Sequence, residues 1–288
     1  MDVSRGKWKH VKFSIVTPSY RNSEWLKLCV ASVADQEDVD REHIVQDACS
    51  DDGTGHWLPQ DPRVRAYIEK DSGMYDAVNR GIRRSSGELL AYLNCDEQYL
   101  PGTLKRVHDC FEQNPEADIV ISHFVVIDSH GEYICHRYAT VPTWAAAWDR
   151  ISISTCALFF RRRIFEEHGL WFDTNWRDVS DTMWILAACS RGLQWRTLPE
   201  LTSVFADTGE NMNLKPNAVK EKAALLAKRP LWLKAGAPLA RMLYRIRLLR
   251  SGMFRQPPFN YSIYTRDSPE RRKTFTVGIP TGRWATRS

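Results

Sequence analysis

The sequence has no apolar run long enough for a signal-peptide core or a membrane span. Its opening MDVSRGKWKH leads straight into the strand-like KFSIVT. That absence predicts a cytosolic chain. Neither GxGxxG nor GxxxxGK[ST] occurs, which argues against dinucleotide-binding and P-loop chemistry. There is no CxxC, and the seven cysteines are odd in number and scattered, so neither a disulfide framework nor a structural zinc is expected. Recognisable RNA- or DNA-binding motifs are also missing, and nucleic acid is not an expected partner. What remains is ordinary: 43% hydrophobic and 26% charged residues over 288 positions describe a folded chain, one large domain or one domain with an appendage.

Charge is present but unevenly spread. Residues 1–214 hold 23 Lys and Arg against 32 Asp and Glu, a net −9, whereas residues 215–288 hold 17 against 3, a net +14. A basic tail on an acidic body points to a polyanionic surface. In PLARMLYRIRLLR (238–250), Leu239, Met242, Leu243, Ile246 and Leu249 follow helical spacing with Arg241, Arg245 and Arg250 around them. Such a helix suits an anionic membrane surface through residues 215–250, or packing on the acidic body, or dimerisation. Oligomeric state is left open. The expected organisation is 1–210 (halves at about 10–100 and 101–210), a basic helical extension at 211–250, and an extended or disordered basic tail at 251–288.

The body reads as alternating strands and helices. Strand-like runs fall at 12–17, 43–47, 63–69 and 88–93. Helical patterns lie between them, with Trp25, Leu28, Cys29 and Val33 on one face and Tyr75, Val78 and Ile82 on another. This implies an α/β fold with a mostly parallel sheet. Each strand is followed by a polar cluster: PSYRN, DACSDDGT, KDSGMYD and NCDEQ. In an open parallel sheet all four share the edge where ligands bind. Acidic side chains directly after a buried strand are costly unless solvent, a cation or a ligand meets them. A phosphate-bearing ligand and a divalent cation are the expected occupants.

Taken in order, FSIVTPSYRN, IVQDACSDDGTG, EKDSGMYDAVNRGIRRSSGELLAYLNCDEQYLPGTL, FFRRRIFEEHGLWFD and the late Ser180–Asp181 resemble family 2 glycosyltransferases, in particular the bacterial branch that builds cell-surface polysaccharides. The resemblance covers about residues 12–210. It implies the GT-A fold, an open, mostly parallel Rossmann-like sheet flanked by helices. It also implies transfer from a nucleotide-sugar donor, a UDP-sugar first, to a glycan or lipid-linked acceptor, with Mn²⁺ or Mg²⁺ as cofactor.

By the same resemblance, NCDE stands at the metal motif, with Asp96 on the cation, Glu97 as a second negative charge, and Asn94 where many members carry the first Asp. Thr17, Pro18 and Tyr20 correspond to the loop lining the nucleoside. Asp47 is the acid near the base, with Ala48 after it leaving base choice open. Asp71, Gly73, Asp76 and Asn79 correspond to the segment approaching donor sugar and phosphates. Asp76 and Asn79 sit three apart on one helix face. Asp181 resembles the catalytic base of inverting members, with Asp178 as competitor; the alternative is that Ser180 or Asp181 merely caps the helix. Trp144, Trp148, Trp171 and Trp176 are candidates for stacking on an acceptor sugar. A different class of reading, a non-catalytic nucleotide-sugar-binding or scaffold protein, stays open on account of Asn94 and Ala48.

Overall fold

The computed structural model describes residues 12–148, 153–209 and 216–284. Strands β1 (Phe13–Ser19), β2 (Arg41–Asp47), β3 (Arg65–Ile68) and β4 (Leu89–Tyr92) coincide with the four expected runs and are mutually parallel in the order β3-β2-β1-β4. Their carboxyl ends share one edge, with Ser19 beside Asp47 and Asp47 beside Ile68. The strand order reverses around β1, which opens a crevice beyond that edge.

Helices α1 (Ser23–Ala34), α2 (Thr54–Trp57) and α3 (Met74–Arg84) connect these strands. α3 turns Tyr75, Val78 and Ile82 inward as the pattern requires. It lies so close to β1 that a Cβ on Gly81 would sit 2.3 Å from Val16 Cγ1. Only glycine fits there. In α1 the burial exceeds the expected stripe: Leu26 and Val30 are covered as well as Trp25, Leu28, Cys29 and Val33.

The second half supplies β5 (Gln98–Tyr99), α4 (Thr103–Gln113), β6 (Ile119–Ile127), β7 (Tyr133–Arg137), α5 (Trp144–Ala147), β8 (Leu158–Arg161), α6 (Arg163–Glu166), α7 (Ser180–Ser190) and β9 (Trp195–Ala206). β8 enters antiparallel between β4 and β6, β9 runs parallel to β6, and β5 closes the far edge against β9. The parallel character thus belongs mainly to the first half. Phe172 joins the halves: its ring lies 5.6 Å from Tyr75, 5.4 Å from Tyr92 and 5.5 Å from Trp184 of α7.

Helices α8 (Pro216–Ala227) and α9 (Leu231–Arg250) follow, then an antiparallel hairpin of β10 (Phe259–Thr265) and β11 (Ser268–Val277). The tail, expected to be extended or disordered, here forms two paired strands. Tyr261, Ile263, Phe275 and Val277 alternate onto one face and pack with Trp25, Leu28, Val125 and Val204. Abundant charge on the other face hid that alternation from composition, and this sheet is what covers the outer side of α1. Among the described residues no helix is long and apolar enough to cross a membrane.

Candidate active site

The polar clusters do meet at the carboxyl edge, but several of their side chains hold the scaffold instead of facing the crevice. Thr17 is fully buried, its hydroxyl 2.8 Å from His43 Nε2, so only its backbone belongs to the edge. Pro18 is buried beside Gln46, and Tyr20 stands 56% exposed at the rim under the Arg21 guanidinium. Asp47 is fully buried and accepts from the Ser50 N–H and hydroxyl at 2.8 and 2.7 Å, shaping the loop after β2. Arg21, itself at a left-handed φ of 51°, reaches across to Asp51 at 2.7 Å. Sequence reading overlooked this rim pair.

The segment before α3 divides in two. Asp71 accepts from the Gly73 N–H at 2.9 Å, and burial, then the nearby Asp76 and Asp47 charges, push its carboxyl up. Gly73, at φ 128°, lies beside the Arg177 side chain. Asp76 is paired with Arg80 at 2.8 Å and accepts from the Ser72 N–H. Asn79 is 3% exposed and spends both ends of its amide on the backbone of Phe172, at 2.8 and 3.2 Å. The donor-contact expectation for Asn79 is therefore corrected: Asp76 and Asn79 share a helix but not a task, and Asn79 ties the two halves together.

The loop after β4 is a tight turn. Glu97 N–H donates to the Asn94 carbonyl at 3.0 Å, while the Asn94 N–H donates to Glu97 Oε2 at 2.9 Å. Glu97 is completely buried, its other oxygen accepts from the Thr155 hydroxyl at 3.4 Å, and burial pushes its carboxyl up to about 8. Turned inward, its carboxylate braces the turn that carries Asp96. Asn94 donates its amide to Thr155 at 3.4 Å, leaving Oδ1 buried without a partner. Asp96 differs from both. Among the described residues its carboxylate accepts only from its own backbone N–H, and burial pushes it up to about 6.

Among the described residues no group of three or more His, Cys, Asp or Glu side chains converges on a point. An Mg²⁺ or Mn²⁺ ion needs no such cage, since one or two carboxylates plus substrate phosphates suffice. The unpartnered Asp96 and the orphaned Asn94 oxygen fit that arrangement.

Asp181 lies in the first turn of α7, where negative charge is favoured. The cap position itself is Val179, which makes no side-chain cap, and the Ser180 hydroxyl is buried without a partner, but the Asp181 carboxylate accepts the Thr182 N–H at 2.6 Å, so a helix-terminal role stands beside the catalytic one. Burial pushes the Asp181 carboxyl up, against the Thr182 N–H and the Tyr75 hydroxyl that favour its charge. Tyr92 lies within electrostatic reach of Tyr75, Asp181 and Glu97, its hydroxyl buried without a hydrogen-bond partner among the described residues. Polar side chains therefore stand between Asp181 and the turn carrying Asp96 without forming a continuous hydrogen-bond chain. Asp178 is instead held by Asn217 at 2.5 Å.

Thr155 and Arg177 are the residues sequence reading missed as site members. Neither belongs to a motif, and Arg177 sits in an exposed loop. The aromatic candidates are already engaged: Arg83 covers Trp171, Lys228 covers Trp176, and Trp144 packs with Trp148 and Trp232.

Comparison with known proteins agrees with this geometry. The family model described as "Glycosyl transferase family 2" matches residues 14–186, more than half of the chain. The chain is 35% identical over 104 residues to a putative teichuronic acid biosynthesis glycosyltransferase of Bacillus subtilis, covering 34% of this chain and 41% of the relative. It is 29% identical over 181 residues to a PGL/p-HBAD biosynthesis glycosyltransferase of Mycobacterium bovis, covering 59% and 66%. It thus spans less than two thirds of either relative. S. aureus TarS, solved with UDP-GlcNAc, superposes with a TM-score of 0.61 at 15% identity over 74% of this chain and 64% of that one, a likeness of fold. The chain belongs to glycosyl transferase family 2 and has the GT-A fold.

Proposed function

We propose that this chain is a metal-dependent, inverting, hexosyltransferase-like enzyme. It moves a sugar from a nucleotide-diphosphate sugar, a UDP-sugar first, to a glycan or lipid-linked acceptor in surface polysaccharide synthesis (O-antigen, capsule or exopolysaccharide), peripherally on the inner face of the cell membrane. The observation that carries this reading is the pair of carboxylates pushed up by burial, Asp96 in the turn after β4 and Asp181 in the first turn of α7, with the Tyr92 hydroxyl in electrostatic reach of Asp181 and of Glu97 beside Asp96. The names of the relatives support the pathway class, and the UDP-GlcNAc held by TarS supports the donor class.

In this mechanism Asp181 takes the proton from an acceptor hydroxyl, and the freed oxygen attacks the anomeric carbon opposite the diphosphate. Burial raises the basicity of Asp181, as a general base acting near neutral pH requires. The Tyr75 hydroxyl fixes the carboxylate's direction. Asp96 would hold the cation against the donor diphosphate, where its charge offsets the negative charge of the leaving group. Glu97 and Thr155 keep the Asp96 turn in shape.

Two measurements test the reading. Thermal shifts with UDP, GDP, CDP and dTDP, each with Mn²⁺ and with EDTA, should show one nucleotide raising the midpoint only with metal and only when Asp96 is intact. No shift with any nucleotide would favour the scaffold reading. Asp181→Asn should bind donor normally and lose about 10²–10⁴-fold in transfer rate. Near-normal transfer by a folded Asp181→Asn would remove it as the base.

A further inference from the structure

Helix α9 has two apolar faces, and the body uses one of them. Leu233, Tyr244 and Leu248 turn inward, the last two against Met253 and Tyr138. On the opposite side Leu239, Met242, Leu243 and Leu249 are 56%, 52%, 49% and 62% exposed. At 3.6 residues per turn these positions form one continuous stripe along the helix. Single exposed apolar residues are commonplace, but an aligned row marks an interaction surface.

The charge around the stripe identifies its partner. Lys234 and Arg245 are exposed on one flank and Arg247 on the other, and the chain has no Asp or Glu between Glu221 and Asp267. A second copy of this helix would bring basic flanks together with no acid to offset them. An anionic lipid surface offers both acyl chains for the stripe and phosphates for the flanks.

The helix is also tied to the body near α7. Trp232 stacks on Trp144 of α5 at 6.0 Å, and α5 packs on α7, whose first turn carries Asp181. Glu221 of α8 accepts from the Arg177 and Asp178 N–H groups at 2.9 Å, fastening the loop that leads to Asp181. We propose that α9 lies along an anionic bilayer, with the stripe of Leu239, Met242, Leu243 and Leu249 among the acyl chains and the basic flanks on the headgroups. This contact with the bilayer stands apart from the proposed transferase activity.

The experiment is co-sedimentation of the full chain with vesicles of phosphatidylcholine alone and of phosphatidylcholine with phosphatidylglycerol, without donor or acceptor. Failure here is thus separate from failure of the nucleotide measurements. The chain should bind the anionic vesicles, bind the neutral ones weakly, and release as salt rises. The double variant Leu239→Glu, Leu243→Glu should keep its far-UV spectrum and melting temperature and bind at least about tenfold more weakly. Arg245→Gln with Arg250→Gln should lower partition about thirtyfold. Absence of wild-type binding to anionic vesicles would overturn the proposal, as would equal binding by the Leu→Glu variant. A non-binding dimer that the Leu→Glu pair turns into a monomer would assign the stripe to a second copy instead.

Discussion

Arg272 of the terminal hairpin should support both stability and the Asp96 turn. Its guanidinium donates to both Asp35 oxygens at 2.5 and 2.7 Å, and to the carbonyls of Tyr99, Ser262 and Ser32 at 2.9, 2.8 and 3.3 Å. The side chain is 11% exposed against 28% for Asp35. Next to it, Gln98 and the Tyr264 backbone exchange two hydrogen bonds of 2.9 Å, immediately after Glu97. Removing one partner of a buried pair costs about 3–5 kcal/mol, and the partial exposure of Asp35 sets the low end, about 3 kcal/mol, for Arg272→Ala. At about 2–4 °C per kcal/mol for a chain of this size, the melting temperature should fall by roughly 6–12 °C. A double-mutant cycle with Asp35→Ala should return a coupling on the order of 2 kcal/mol. Calorimetric titration with UDP should show weaker binding in the presence of Mn²⁺ and unchanged binding in EDTA, because the hairpin anchors the turn that carries Asp96. A fall under about 2 °C would refute the energetic argument. A full fall with unaltered UDP·Mn²⁺ affinity would refute the link to the turn.

Arg177 has no carboxylate partner among the described residues and lies beside Gly73, so Arg177→Ala should weaken UDP binding about tenfold with little change in melting temperature; unchanged affinity would place it outside the donor site. Burial pushes His43 down to about 3, whereas in the unfolded chain it protonates near 6.5. The unfolded state then takes up a proton the native state refuses, so stability is lost as pH falls through 6.5 toward 3. Between pH 7.5 and 4.5 this one group contributes about 2–3 kcal/mol of that loss. In urea denaturation His43→Gln should show a pH dependence smaller by that amount, and parallel profiles for the two proteins would contradict the assignment.

The four strands, their polar ends and the shared edge were legible in the sequence because each depends on local pattern: apolar runs, helical spacing and turn residues within a few positions. The motif order placed Asp96 and Asp181 for the same reason. What lay outside the sequence was the direction and partner of each polar side chain. Asn79 looked like a donor contact until Phe172, 93 residues later, took both ends of its amide. Glu97 read as a second metal charge, and only the fold shows that its carboxylate also braces the turn through the Asn94 N–H and Thr155. The basic tail read only as extended or disordered by composition, and the fold pairs its strands, sets Arg272 on Asp35 across 237 positions and lays the hairpin over α1. Local sequence decides where a strand ends and a helix begins. Which carboxylate stays charged, and which faces the crevice, is set by burial and by partners that only the folded chain brings within hydrogen-bond reach.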